Sequence, residues 1–135
     1  MINTTTTNVP IINTGIRLFS GAGKVKLLNT KCYKTEVVDV ENVTTAFLKT
    51  GETKIELLEN GSESGPIAKF IDKRGEGLHH VAFEVDDITA EIQRLESEGF
   101  IAINKPKSGA DNKLICFLHP KNTHGVLVEL CQSIK

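Results

Sequence analysis

Gly75-Glu76-Gly77-Leu78-His79-His80-Val81-Ala82-Phe83-Glu84-Val85-Asp86-Asp87 reads as a glycine-containing loop, a strand and the start of a helix. From His79 to Val85 the residues alternate, so Val81, Phe83 and Val85 fall on one face while His80, Ala82 and Glu84 fall on the other. One face is core; the other presents an imidazole. A histidine on a strand is by itself most often a structural residue, so the rest of the chain decides what His80 does.

Downstream, Asp86-Asp87 supplies a cap for a helix with apolar positions Ile88, Ile92 and Leu95 that ends at Gly99. Ile101 to Asn104 is a short strand, Ser108 to Asn112 a turn and Lys113 to Leu118 a strand. The loop His119 to Gly125 leads into Val126-Leu127-Val128-Glu129-Leu130, where Glu129 is a carboxylate in mid-strand. Upstream, Pro66 suits the first turn of a helix with Ile67, Phe70 and Ile71 on its apolar side, and Gly75 ends it. Lys73 and Arg74 occupy its last turn, where the helix dipole favours cations.

Lys54-Ile55-Glu56-Leu57-Leu58 is a strand with Ile55 and Leu57 on one face and Lys54, Glu56 and Leu58 on the other. Tyr33 to Val40 and Val43 to Leu48 precede it as strands, joined by a turn at Glu41-Asn42. Ile11 to Leu18 is a further strand, and Met1 to Pro10, with no apolar periodicity, is expected to be a loose leader. Phe19-Ser20-Gly21-Ala22-Gly23-Lys24 fails as a phosphate-binding loop, since Val25 follows the lysine and Leu18 stands at the required upstream glycine. Its glycines also make it a poor helix, so Lys24 to Asn29 holds a turn or two at most.

The pieces repeat. Ala46-Phe47-Leu48 followed by a turn and Lys54-Ile55-Glu56-Leu57 parallels Cys116-Phe117-Leu118 followed by a loop and Leu127-Val128-Glu129-Leu130. Asn13 to Leu18 likewise parallels His80 to Val85. Two copies of one supersecondary unit, each about half the chain, are implied. In such a duplicate Asn13, Glu56, His80 and Glu129 occupy equivalent places. A carboxylate inside a sheet needs a cation or hydrogen bonds to offset its desolvation. One imidazole and two carboxylates suit a divalent ion of the Co, Mn, Ni, Fe or Zn kind, while solvent-facing glutamates on a wet sheet face are the competing explanation.

The 135 residues carry 39% hydrophobic and 24% charged residues, ordinary for one globular domain. Sixteen basic against seventeen acidic residues leave a net charge of −1. No basic block tracks a phosphate backbone, so nucleic acid is not an expected partner. No apolar run reaches membrane-span length and no secretory signal is recognisable, so no membrane partner and a cytoplasmic location are expected. Cys32, Cys116 and Cys131, odd in number and widely spaced, read as reduced thiols.

Pro66-Ile67-Ala68-Lys69-Phe70, then Lys73-Arg74-Gly75-Glu76-Gly77-Leu78-His79-His80-Val81-Ala82-Phe83-Glu84-Val85-Asp86-Asp87-Ile88, Gly109-Ala110, Phe117-Leu118-His119-Pro120-Lys121 and Gly125-Val126-Leu127-Val128-Glu129-Leu130 together resemble the methylmalonyl-CoA epimerase family of the vicinal oxygen chelate (glyoxalase-like) superfamily. The resemblance runs from about Leu27 to Gln132. It implies an α+β fold of two tandem βαβββ modules, whose curved mixed sheets surround a metal-binding cleft. Module one would span about 11–60, a linker helix about 65–75 and module two about 77–132. The N-terminal helix of module one would be degraded. A divalent ion, cobalt by family habit, a small-molecule CoA thioester and a homodimer are also implied.

Position by position, the resemblance places metal ligands at His80, Glu129 and Glu56, and sets Asn13 where the family carries a further histidine. Glu129 is also the implied catalytic base. His79 is the structural neighbour. Thr45 stands where some relatives have another glutamate, and Lys113 and Lys121 are the cations available for CoA phosphates. The expected activity is epimerisation of methylmalonyl-CoA. A metal-poor binding protein of the same fold and a glyoxalase-like lyase are the rival readings.

Overall fold

In the computed structural model, residues 29–135 are described in full, with the backbone of strand residues 2–12, 19–20 and 24–25. The strands, in chain order, are β1 (Ile2–Ile12), β2 (Phe19–Ser20), β3 (Lys24–Val25), β4 (Thr30–Lys31), β5 (Lys34–Val38), β6 (Val43–Thr50) and β7 (Thr53–Asn60). Helix α1 (Pro66–Arg74) follows, then β8 (Val81–Val85), α2 (Ile88–Ser97), β9 (Lys107–Ser108), β10 (Lys113–Leu118) and β11 (Val128–Ser133). Contacts divide the chain into two units, residues 8–79 and residues 80–135 with 1–7.

In the second unit, the alternation from His80 to Val85 forms β8, which pairs in parallel with β11. β11 runs antiparallel to β10, and β10 antiparallel to β9. Helix α2 starts where Asp87 Oδ1 accepts hydrogen bonds from the Thr89 and Ala90 amides, both at 3.0 Å, satisfying two of the orphan donors of its first turn. Its apolar stripe, Ile88, Ile92 and Leu95, packs with Val85, Cys116, Leu118 and Leu130. Each such side chain contributes about 1.5–3 kcal/mol of transfer free energy. The opposite face of this sheet gathers Ala82, Ile115, Cys131 and Phe117. Burial raises the Cys116 thiol above its ordinary range, which makes it an inert core residue.

In the first unit, residues 8–12 of β1 pair in parallel with β7, and β7, β6 and β5 form an antiparallel meander. The order therefore matches the second unit: opening strand, last strand, then the two preceding it. Both sheets are mixed. Ala46, Leu48, Ile55 and Leu57 form the apolar cluster on one face of this sheet. Helix α1 begins with Pro66 at its first position and ends at Gly75, whose φ of 73° suits glycine and whose amide donates to the Ile71 carbonyl at 2.7 Å.

Several boundaries differ from expectation. The opening strand covers Ile2–Ile12 rather than Ile11 to Leu18, so the stretch expected as a loose leader lies in a strand. Residues 13–18 lie outside the described residues. In place of a degraded helix, β2, β3 and β4 form a small antiparallel sheet. Ile101 to Asn104 makes a single bridge, Ala102 to Leu118, instead of a strand. β11 starts two residues later than Val126 and continues through Ser133.

Candidate functional site

His80 immediately precedes β8, and the Val81 amide beside it donates to the Leu127 carbonyl at 3.0 Å, which fixes the entry of the strand. Glu129 sits on β11 between two in-register neighbours, Ala82 on β8 and Phe117 on β10. Residues two apart on a strand share a face, so His80, Ala82, Glu129 and Phe117 lie together. His80 Nε2 and Glu129 Oε2 are 3.2 Å apart. Only 5% of His80 and 8% of Glu129 is exposed. Phe117 meets the imidazole edge to face, 5.5 Å between centroids at 88°, and limits its tilt. Asn104 Oδ1 accepts from the Phe117 amide at 3.0 Å and so holds that strand from behind.

The pair offers two donors of the kinds that metal sites use. Two donors bound at ~2.1 Å to one ion stand roughly 3.0 Å apart at right angles and ~3.4 Å apart in a tetrahedron. The observed separation falls between these. An imidazole nitrogen beside a carboxylate oxygen suits a borderline divalent ion.

Glu56 occupies the matching place in the first unit. Its in-register neighbours are Phe47 on β6 and Pro10 on β1, so Phe47 faces Glu56 as Phe117 faces Glu129. Glu56 is 8% exposed, and Lys54 Nζ lies 3.6 Å from its Oε1. Asn13 lies outside the described residues. The β1 register nevertheless bears on it: Pro10 stands opposite Glu56 as Ala82 stands opposite Glu129, so the position equivalent to His80 is Asn8. Among the described residues no group of three or more His, Cys, Asp or Glu is assembled.

His79 turns away to meet the Phe70 ring at 5.0 Å, with Arg74 on Phe70 at 5.6 Å, in keeping with a structural role. Lys113, expected as a phosphate contact, is engaged by Glu84 at 2.8 Å, and Ser133 Oγ donates to the same carboxylate oxygen at 2.6 Å. Lys121 is exposed. Sequence reasoning missed the Phe117 ring as the wall of the histidine, although its place opposite Glu129 in the duplicated unit was the available signal. It also passed over Lys54, which is only 9% exposed.

The glyoxalase/bleomycin resistance protein/dioxygenase superfamily model matches residues 20–117. The chain is 39% identical over 98 residues to the uncharacterised protein YqjC of Bacillus subtilis, covering 72% of this chain and 70% of that one. It is 45% identical over 93 residues to the ethylmalonyl-CoA/methylmalonyl-CoA epimerase of Cereibacter sphaeroides, covering 67% and 69%. A Streptomyces coelicolor methylmalonyl-CoA epimerase, solved with 2-nitronate-propionyl-CoA, superposes with a TM-score of 0.83 at 30% identity over 93% of this chain and 92% of that one. With a duplicated mixed-sheet topology and these relatives, the chain belongs to the glyoxalase/bleomycin resistance protein/dioxygenase superfamily and is related within it to methylmalonyl-CoA epimerases.

Proposed function

We propose that this protein interconverts the stereoisomers of methylmalonyl-CoA by removing and returning the proton α to the thioester. The observation that carries the reading is the buried His80–Glu129 pair at 3.2 Å, one at the entry of β8 and the other on its neighbour β11, in a chain whose relatives include named methylmalonyl-CoA epimerases. His80 and Glu129 would hold a divalent ion, and a homodimer is the expected assembly. Such an ion, cobalt by family resemblance, supplies Lewis acidity toward the thioester oxygen and offsets the charge of an enolate.

The chain's own groups do the rest. Glu129 accepts the α-proton through the carboxylate oxygen that does not face His80, since an ionised carboxylate has lone pairs on both oxygens. With Oε2 turned toward His80 Nε2 at 3.2 Å, the other oxygen of Glu129 is left for the proton. Phe117 and Ala82 keep bulk water from the carboxylate, which strengthens every interaction it makes. Inversion also needs proton return on the other face of the carbon. The test is direct: a pure stereoisomer is supplied with Co2+ and a coupling enzyme that consumes only its epimer. Conversion above the protein-free rate supports the reading, and none, with folded metal-supplied protein, overturns it.

A further inference from the structure

His119 follows the last residue of β10, and its backbone stays extended, with φ −67° and ψ 129°. Its amide donates to the Ile101 carbonyl at 2.8 Å, so the pleat of β10 runs on for one more residue. Phe117 is in register with Glu129 and Leu118 with Val128, which sets His119 opposite Leu127. His119 therefore leaves the sheet on the face of Phe117 and Glu129. It is the diagonal neighbour of Glu129 across β10 and β11, a separation of about 7–8 Å that aromatic and long side chains span. On the other side Ala82 is in register with Glu129, which makes His80 the diagonal neighbour across β8 and β11. One carboxylate thus has an imidazole on each flank.

The two rings are held differently. His80 is buried against Phe117, whereas His119 is exposed. His119 Nδ1 accepts from the Lys121 amide at 3.1 Å, which fixes the ring although water surrounds it. A backbone amide only donates, so in the neutral ring Nδ1 carries no proton and Nε2 is the N–H donor. The loop that holds it is itself tied: the Asn122 amide donates to the His119 carbonyl at 3.2 Å and the Gly125 amide to the Pro120 carbonyl at 2.8 Å. Among the described residues nothing accepts from Nε2.

We propose that His119 donates its Nε2–H to the thioester oxygen of the substrate, the atom on which charge gathers when Glu129 takes the α-proton. The inference rests on the epimerase reading and adds one more group of the same unit to it. The proton passes from the α-carbon to the Glu129 carboxylate, and the electron pair it leaves moves onto the thioester oxygen. That oxygen is two bonds from the α-carbon, so base and donor must stand a few ångströms apart on one face, as diagonal neighbours do. The hydrogen bond from Nε2 strengthens as the oxygen becomes an enolate, and the imidazole keeps its proton. A donor fixed before the substrate arrives needs no reorganisation at that moment.

Two substitutions separate the donor from the loop cap. His119→Asn keeps a side-chain acceptor for the Lys121 amide and has no donor at the reach of Nε2; His119→Gln places an amide N–H near that reach and gives up the close acceptor. Exchange of the α-proton of methylmalonyl-CoA in D2O is followed by NMR for the full chain supplied with Co2+, over a range of substrate concentrations, with thermal midpoints alongside. His119→Asn is expected to melt near wild type and to lower kcat at least about tenfold with KM within about twofold, since loss of one oxyanion donor costs about 10²–10³ in a water-excluded site and this one is exposed. His119→Gln is expected to exchange faster than His119→Asn. A wild-type rate in His119→Asn overturns the assignment, because it leaves His119 only the cap. A raised KM with unchanged kcat also overturns it and marks a contact to the free carboxylate or the CoA phosphates. Wild type that exchanges no α-proton overturns the epimerase reading with it. Should His119→Asn melt well below wild type, 1H–15N spectra of the zinc-supplied wild type decide: an Nε2–H signal of His119 that shifts on adding methylmalonyl-CoA supports the proposal, and a ring protonated at Nδ1 overturns it.

Discussion

His80 Nε2, just before β8, stands 3.2 Å from Glu129 Oε2 on β11, the parallel partner strand that pairs Glu129 with Ala82. That spacing is close to the separation of two donors on one divalent ion. His80→Ala is therefore expected to weaken Co2+ binding by about tenfold or more, because only oxygen donors remain. Calorimetric titration of both proteins checks this. Equal affinities would remove His80 from the metal site.

The two units share a ladder pattern in which Asn8 holds the place of His80. Asn8→His is expected to raise Co2+ affinity by about tenfold, equivalent to ~1.4 kcal/mol, since imidazole is a far better donor than an amide for such ions. Asn13→His, the substitution suggested by sequence alone, is the control. Titration of both variants decides the register: a gain at position 13 and none at 8 would show that the opening strand is set differently.

Leu130 is 1% exposed and packs against the apolar stripe of α2. Leu130→Ala is expected to cost about 3 kcal/mol, from lost burial plus the cavity left behind. A thermal midpoint lowered by roughly 10 °C or more would match. A shift of only a degree or two would show that α2 does not seal this core.

Glu91 is buried in α2 and accepts hydrogen bonds from Arg94, with Nη2 at 2.6 Å from Oε1 and Nε at 3.1 Å from Oε2. That side-chain pairing holds its carboxyl below the ordinary value of 4.5. A depressed folded-state value means the contribution to stability is present above the unfolded value and fades as pH falls through the folded one. Glu91→Gln is expected to melt below wild type at pH 7, with the gap closing on acidification below the ordinary carboxylate range. Melts across that range test it; a gap independent of pH would contradict the assignment.

Much of the second unit was legible in the sequence because each local signal agreed with its neighbours. Alternation after His80, an Asp87 cap and the Ile88, Ile92, Leu95 stripe all specify one strand and one helix packed together. The parallel between Phe47 with Glu56 and Phe117 with Glu129 was readable too, since residue pairs survive in order on duplicated strands. The N-terminus was not. Asn3 to Asn8 shows no apolar alternation, so it read as a leader, although β-branched threonines favour extended backbone. With the opening strand at Ile2–Ile12, the place two residues before the partner of Glu56 falls to Asn8, while Asn13 lies outside the described residues. Lys54 escaped notice for another reason: a lysine on a strand reads as solvated until the fold buries it.

The central claim is that Glu129 moves a proton at the carbon α to a thioester, and isotope exchange reads that step without a coupling enzyme. Methylmalonyl-CoA in D2O with Co2+-supplied protein is followed by loss of the α-proton signal in NMR. Wild type should exchange well above the protein-free rate. Glu129→Gln, nearly isosteric and unable to accept the proton, should exchange at least about a hundredfold more slowly with its thermal midpoint near wild type. Exchange by Glu129→Gln at the wild-type rate, or none by wild type itself, would contradict the account.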